Sequence, residues 1–540
     1  MQTSTSTARA DYVSPAAVRP FLLNLAPDSE RHAQNDSIGE GVLASLILAI
    51  VVLMIHGYHP YAEDGGLYFS AVLKALHPAL FPSPSEFVSV LAQNSLFPLL
   101  VSALVRASRL RLSTMNFLLY LLSTWTTLFA CWIIAARCHK VRTARYGAVL
   151  LVALLFTLPV AGTSLLLMDP YVTARSISTP CGLFALAAML KLTQEHYEGR
   201  PLAWRSAAMC CLCIIIAGAV HPLMAGYTGA CMVLLFVHSR STGARSFLFA
   251  GLCCLLAVLL AAFLFHLGSP ATPHSLDAAR TRTYWFIENW HWYEVSGLVI
   301  PLLVLLVLAS TKSSRTQQAA RWLACAAIEA GLTGILISLL FVREDSPFYE
   351  VARLQPLRIF QVVYIITILA LGSYACARLL AVHRWLPAAV FLVVGAGMFY
   401  AQSRVFPHSN HIEWPWCAPR NGWERTFLWA RQNTPPDARF ALDAGYITYP
   451  GEDAQYFGAI SERSALPDYS KDGGLAALAP QFADDWVAAQ AAQTGLNEET
   501  DAQRRSALRP LRVTWIILPA SAQTNLACPF GDAAAKVCRL

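Results

Sequence analysis

Apolar residues in this chain gather into long runs, and polar residues fill the short segments between them. The first run extends from Gly41 to Gly57, and others occupy 115–136, 145–167, 176–194, 206–220, 222–238, 246–266, 295–311, 321–341, 356–377 and 386–402. A helix of roughly 17 to 25 residues crosses the hydrocarbon core of a bilayer, and most of these runs match that length. The pattern predicts a polytopic α-helical membrane protein with about eleven spans over residues 41–403. Residues 1–40 are polar and Ser/Thr-rich, so the first run comes too late for an ordinary signal peptide and reads as a membrane helix.

The segment 88–105 is apolar enough to span, but Gln93, Asn94 and Pro98 interrupt it and Arg106, Arg109 and Arg111 follow it. As a span it gives about twelve helices. As a helix lying in the interface, with its arginines at the headgroups, it leaves about eleven, and this reading is favoured. Orientation comes from the cationic loops: Arg137, Lys140, Arg142 and Arg145; Lys191, Arg200 and Arg205; Arg240 and Arg245; Lys312, Arg315 and Arg321; Arg378 and Arg384. Placed in the cytoplasm, they put the 58–114 loop, Asp169, 268–294, 342–355 and everything after Arg404 outside. The expectation is an integral protein of a bacterial cytoplasmic (inner) membrane, with residues 1–40 a cytoplasmic tail.

Residues 404–540 are polar again and long enough for a small extracytoplasmic domain. Asn421 to Gln432 has helical spacing of Trp423, Phe427, Leu428 and Ala430, ended by Thr434-Pro435-Pro436. Arg439 to Leu442 and Val513 to Leu518 read as short buried strands, so an α/β domain is predicted. If this domain lies outside, Cys528 and Cys538 can close a loop by disulfide.

Composition narrows the class further. A chain that is 56% hydrophobic and 14% charged, with mean hydropathy +0.46, is not that of a soluble enzyme. The net charge of +7 sits mostly in clusters between apolar runs, which is membrane topology and not a nucleic-acid footprint. Most of the 14 cysteines lie in or beside apolar segments and read as packing residues. Cys210 and Cys213 share this setting, with no charged neighbour in sequence to activate a thiolate.

Candidate chemistry concentrates after the first span, in His56-Gly57-Tyr58-His59-Pro60-Tyr61-Ala62-Glu63-Asp64-Gly65-Gly66. A carboxylate at a membrane boundary under apolar cover is suited to act as a general base, and a capping Asp64 in a solvated turn is the plainer alternative. His56 and His59 with Glu63 and Asp64 are also residue types that ligate zinc. Asp169 and Arg175, between two apolar runs, are costly at that depth unless paired or used. His221, followed by Pro222, is either an interfacial turn residue or a ligand contact. Arg280, Arg282, Arg343, Arg353 and Arg358 fall at outer helix ends, where guanidinium groups suit a lipid phosphate or snorkel to headgroups. The cluster Tyr284, Trp285, Phe286, Trp290, Trp292 and Tyr293 reads as an interfacial belt.

A first span, an outer loop with an acidic pair at Glu63-Asp64, a second acidic loop at Asp169 and an outer C-terminal domain together resemble the GT-C glycosyltransferases. The segment from Trp429 to Asp437 is similar to the start of the soluble domain of oligosaccharyltransferase-type proteins. The resemblance implies a GT-C-like fold with interfacial helices at 66–78 and 88–105. It implies transfer of a sugar from a polyprenyl-phosphate donor to an extracytoplasmic acceptor, with inversion and Asp64 as base. Glu63 and Asp169 are then further catalytic candidates, and Arg175, His221, Arg353, Arg358 and His59 candidate substrate ligands. The sequence departs from the oligosaccharyltransferases in lacking a Trp-Trp-Asp triad after 437 and in having Asp-Pro-Tyr in its second acidic loop. A divalent metal is chemically possible at the acidic loops but not indicated, and no cofactor is expected. Membrane lipids are expected partners and nucleic acid is not. The competing class is a transporter, or a scaffold for the outer domain, although no internal repeat was found.

Overall fold

The computed structural model describes residues 27–82, 85–201, 203–240, 243–310 and 318–540. The chain divides into two compact units at Glu40/Gly41, and the second, Gly41–Leu540, contains every site residue considered below. Among the described residues nine helices are long and apolar enough to cross a membrane: Ile38–His56, Leu112–Cys138, Arg175–Tyr197, Pro222–Arg240, Ala244–Leu267, Trp292–Ser310, Gln318–Phe341, Glu350–Val382 and Leu386–Val405. Trp204–Val220 is apolar but shorter, at 17 residues. Helix 244–267 exposes Leu248, Leu252, Leu255, Leu256 and Leu259 by half or more, an outward face that water would not tolerate and lipid would.

One expectation changes, and for 88–105 the favoured non-spanning reading holds with two short helices in place of one. The run 145–167 is not a full-length helix: a helix covers Arg142–Leu154, and the chain then folds back through a tight ladder in which Val160 N–H donates to Leu165 O and Leu167 N–H to Leu158 O. Phe156, Val160, Leu165 and Leu167 are buried among the surrounding helices, and Gln361 Nε2 donates to Leu167 O. Non-helical backbone at membrane depth is tolerated where protein covers it, so this hairpin is as apolar as a span. The segment around 88–105 forms two helices, Ser85–Asn94 and Phe97–Ser108, of 10 and 12 residues, too short to cross.

The tail carries a five-stranded mixed sheet in the order β2-β1-β3-β5-β4, with β1 Arg439–Ala441, β2 Ser464–Ala465, β3 Trp515–Pro519, β4 Phe530–Gly531 and β5 Ala535–Arg539. β1 pairs in parallel with β2 and β3, and β5 pairs antiparallel with β3 and β4. Helix Gly422–Asn433, whose N-cap Asn421 accepts from Glu424 N–H, buries Trp423 and Phe427 beside this sheet. Cys528 and Cys538 are joined by a disulfide.

The tail lies against the same end of the helix bundle as the loop after the first span. Tyr58 pairs with Ile412 through a backbone bridge, Tyr456 N–H donates to Tyr61 O, and Phe117, near the start of helix 112–138, packs edge-on to Trp414. At the opposite end, His139, Lys140 and Arg321 line one cavity, and Arg240 meets His196 at 2.8 Å.

Candidate active site

Helix Glu63–Leu76 begins with Asp64 in its first turn, where the helix dipole favours a carboxylate. Its start is held between two other chain segments by two glycines. A Cβ on Gly65 would come within 2.8 Å of Tyr171 Cβ, and one on Gly66 within 2.2 Å of Tyr456 Cβ. The absence of side chains at these two positions therefore lets the Asp169 loop and the tail close on Asp64 from two sides. Glu63 adopts φ 50°, a left-handed conformation uncommon outside glycine.

The cluster so assembled is dense in charge. Arg175 Nη2 lies 2.7 Å from Asp169 Oδ2 and 3.8 Å from Asp64 Oδ2, bridging the two acidic loops. Asp169 is buried, and its Oδ1 has no hydrogen-bond partner among the described residues. Lys471, from the tail, contacts Glu63 and lies 3.7 Å from Asp64 Oδ1. Arg282 is tied to the same tail segment, donating to Ser470 O at 2.6 Å and Tyr469 O at 3.1 Å. Arg358 lies over the Tyr284 ring, and its buried Nε has no partner among the described residues. The Asp64 side chain is 38% exposed and Glu63 55%, against 7% for Arg175 and 13% for Lys471, so the two adjacent acids form the open edge of an otherwise closed group.

The two carboxyls are driven apart in acidity. Burial pushes Asp64 up, but Lys471, Arg175, Arg358 and Arg282 together outweigh it and hold Asp64 below the usual carboxylate range. For Asp169 burial wins over the Arg175 contact and moves the carboxyl up, with Asp64 adding to the shift. Burial lowers Lys471, yet Glu63 and Asp64 more than reverse this and keep it charged. His221 is pushed down to about 3 by burial and by Arg175 and Arg358, so it faces the cluster as a neutral imidazole.

Of the residues singled out from sequence, Glu63, Asp64, Asp169, Arg175, His221 and Arg358 come together here. Arg353 instead donates to Ala477 O at 3.2 Å and lies 3.9 Å from Glu350, at the contact with the tail. His59 points into a separate buried knot: its ring stacks on Phe406, Nδ1 is 2.9 Å from Glu413 Oε1, and Gln455 Nε2 donates to the same oxygen. Burial pushes His59 down to about 3 and, with Asp453, moves Glu413 well up, so burial opposes charge on both partners of this contact. His56, meanwhile, is bound inside the bundle to Thr157 and Ala153 O. The aromatic group divides: Trp292 and Tyr293 are exposed as a belt would be, whereas Trp285 and Phe286 are core.

Lys471 was invisible to sequence reasoning. It stands in a polar tail, far from any apolar run, and only the packing of that tail onto the Glu63–Asp64 turn gives it a role. Arg282 carried a partial signal as a cation placed outside against the positive-inside trend.

No family model matches the chain, and no curated protein matches it. Among solved structures the chain is similar to the archaeal oligosaccharyltransferase AglB from Archaeoglobus fulgidus, determined with an inhibitory peptide and a dolichol-phosphate. The identity is 10%, the match covers 89% of this chain and 69% of that one, and the TM-score is 0.46. It is also similar to the arabinofuranosyltransferase AftD from Mycobacteria, at 14% identity, 89% of this chain, 37% of that chain and a TM-score of 0.42. At this overlap and identity the likeness decides nothing about chemistry, which rests on the residues around Asp64.

Proposed function

We propose that the chain is a membrane glycosyltransferase of the GT-C type, moving a sugar from a polyprenyl-phosphate donor to a hydroxyl acceptor at the extracytoplasmic surface with inversion. One observation carries this reading: a partly open carboxylate, Asp64, on which four cations, Lys471, Arg175, Arg358 and Arg282, converge, with Asp169 bridged to it through Arg175. Such a group of cations suits a phosphate, and Arg358, whose Nε has no partner among the described residues, is the group best placed to take it.

In the reaction Asp64 accepts the proton of the acceptor hydroxyl. The hydroxyl oxygen forms a bond to the anomeric carbon while the bond from that carbon to the phosphate oxygen breaks, and the electron pair leaves with polyprenyl phosphate. Arg175 and Arg358 stabilise the charge that develops on the phosphate. The donor phosphate also has an effect on the base. By offsetting the cations that hold Asp64 down, it lets the Asp64 pKa rise and makes the carboxylate a better proton acceptor when donor is bound. Asp169 acts through Arg175, fixing the guanidinium, and Glu63 does the same for Lys471.

The test is release of polyprenyl phosphate from a panel of lipid-linked sugars by the purified chain. Asp64→Asn is expected to lower turnover by roughly two to four powers of ten. Full turnover by that variant removes Asp64 as base, and no turnover by the wild-type chain with any donor favours a transporter.

A further inference from the structure

At the end of the bundle away from Asp64 a cavity of about 340 Å³ opens between the ends of four membrane helices and the short helix 142–154. That volume lies in the range of ligand pockets, roughly 300–1,000 Å³. Its lining changes character in one direction. Along helix 112–138 it runs from Ile134 and Ala135 through Cys138 to His139 and Lys140 beyond the helix end, and along helix 350–382 from Ile366 and Leu369 to Ser373 and Tyr374. Arg321 enters from the start of helix 318–341. The apolar portion is at hydrocarbon depth, and the polar portion sits where helices end. No Asp or Glu lines the cavity, and among the described residues neither Lys140 nor Arg321 makes an ion pair. Ser373, the hydroxyl at mid-depth, is already satisfied by donating to Ala144 O.

We propose that this cavity binds one anionic phospholipid of the leaflet on that side, with an acyl chain between Ile134, Leu305, Leu323 and Leu369 and its headgroup phosphate at Lys140 and Arg321. The reasons are two. An apolar cavity of this size gains nothing from water, and a hydrocarbon chain fills it without leaving a polar group unpaired. Two basic side chains at its rim, with no carboxylate to answer them, select a negative headgroup. This site is remote from the sugar-transfer chemistry and does not depend on it.

The experiment is native mass spectrometry of the full chain after equilibration with vesicles of equal phosphatidylglycerol and phosphatidylcholine, with thermal unfolding alongside. One retained phosphatidylglycerol is expected. Lys140→Gln with Arg321→Gln is expected to weaken its retention roughly thirtyfold. Ala324→Phe, which fills the cavity without altering charge, is expected to abolish retention while the protein still unfolds cooperatively. Equal retention of phosphatidylcholine overturns the proposal, as does retention of no lipid. Loss of lipid in the charge variant but not in Ala324→Phe also overturns it, by showing that headgroups bind at the bundle end without entering the cavity.

Discussion

Asp64 and Glu413 show how the same residue chemistry is driven in opposite directions by its neighbours. Asp64 is surrounded by cations and held low, so it stays ionised as the solution is acidified, and kcat/KM is expected to be level from neutrality down past the usual carboxylate range. Lys471→Gln removes the largest of those cationic influences, so the Asp64 pKa rises and the acid limb of the profile moves to higher pH. A pH–rate series on both proteins checks this, and an unmoved limb separates Lys471 from the base. Glu413 is buried beside Asp453 and pushed well up, so in the folded chain it keeps its proton above the pH at which the unfolded chain releases it. Stability from this group is therefore present below the unfolded value, near 4.5, and is lost as pH rises toward the folded value. The unfolding temperature is expected to fall as pH rises above about 4.5, and Glu413→Gln to flatten that slope. The Glu63-Asp64 pair and its glycines were legible in sequence because they stand at the edge of an apolar run. The opposing shifts were not, since each depends on residues brought near only by folding, Lys471 from the far end of the chain for Asp64 and Asp453 acting with the burial of Glu413.

At the scale of elements, the turn at 57–66 is the hinge of the site. Gly66→Ala brings a Cβ into Tyr456, and Gly65→Ala brings one into Tyr171, so each is expected to destabilise by about 1–3 kcal/mol, as overpacking does. Gly66→Ala should in addition separate Lys471 from Asp64 by pushing the tail outward. The measurement is thermal unfolding together with the pH profile described for Lys471→Gln. The disulfide gives an element-scale prediction of its own: in the folded chain Cys417 is exposed and reacts with a thiol reagent, whereas Cys528 and Cys538 do not until a reductant is added. A thiol count of the isolated 404–540 segment that finds all three reactive removes the bridge. Helix 422–433 and strands β1 and β3 were readable because each satisfies a local rule, a cap or a short buried run. The hairpin at 156–168 was not, because burial inside protein and burial inside lipid select the same apolar residues.

For the whole molecule, the decisive relation is that the Asp64 turn, the Asp169 loop and the tail share one end of the bundle while Lys140, Arg240 and Arg321 share the other. If the cationic end is cytoplasmic, cysteine reporters at residue 64 and in the tail are labelled from outside only, in a cysteine-depleted background. Labelling of residue 64 only from the cytoplasm sinks both this orientation and the enzymatic reading.

The sequence by itself determined that the chain is a helical membrane protein with a polar tail, because hydrophobic length and the placement of charge are local properties that the bilayer reads directly. It also marked Asp64, Asp169, Arg175 and Arg358, because a charge beside an apolar run is costly wherever the chain goes. Only the tertiary structure decided that these four meet, that His59 and Arg353 do not join them, and that Lys471 and Arg282 complete the group. The physical reason is that a charged cluster is made by contacts between segments far apart in sequence, and the two glycines that permit those contacts announce a close approach without saying what approaches.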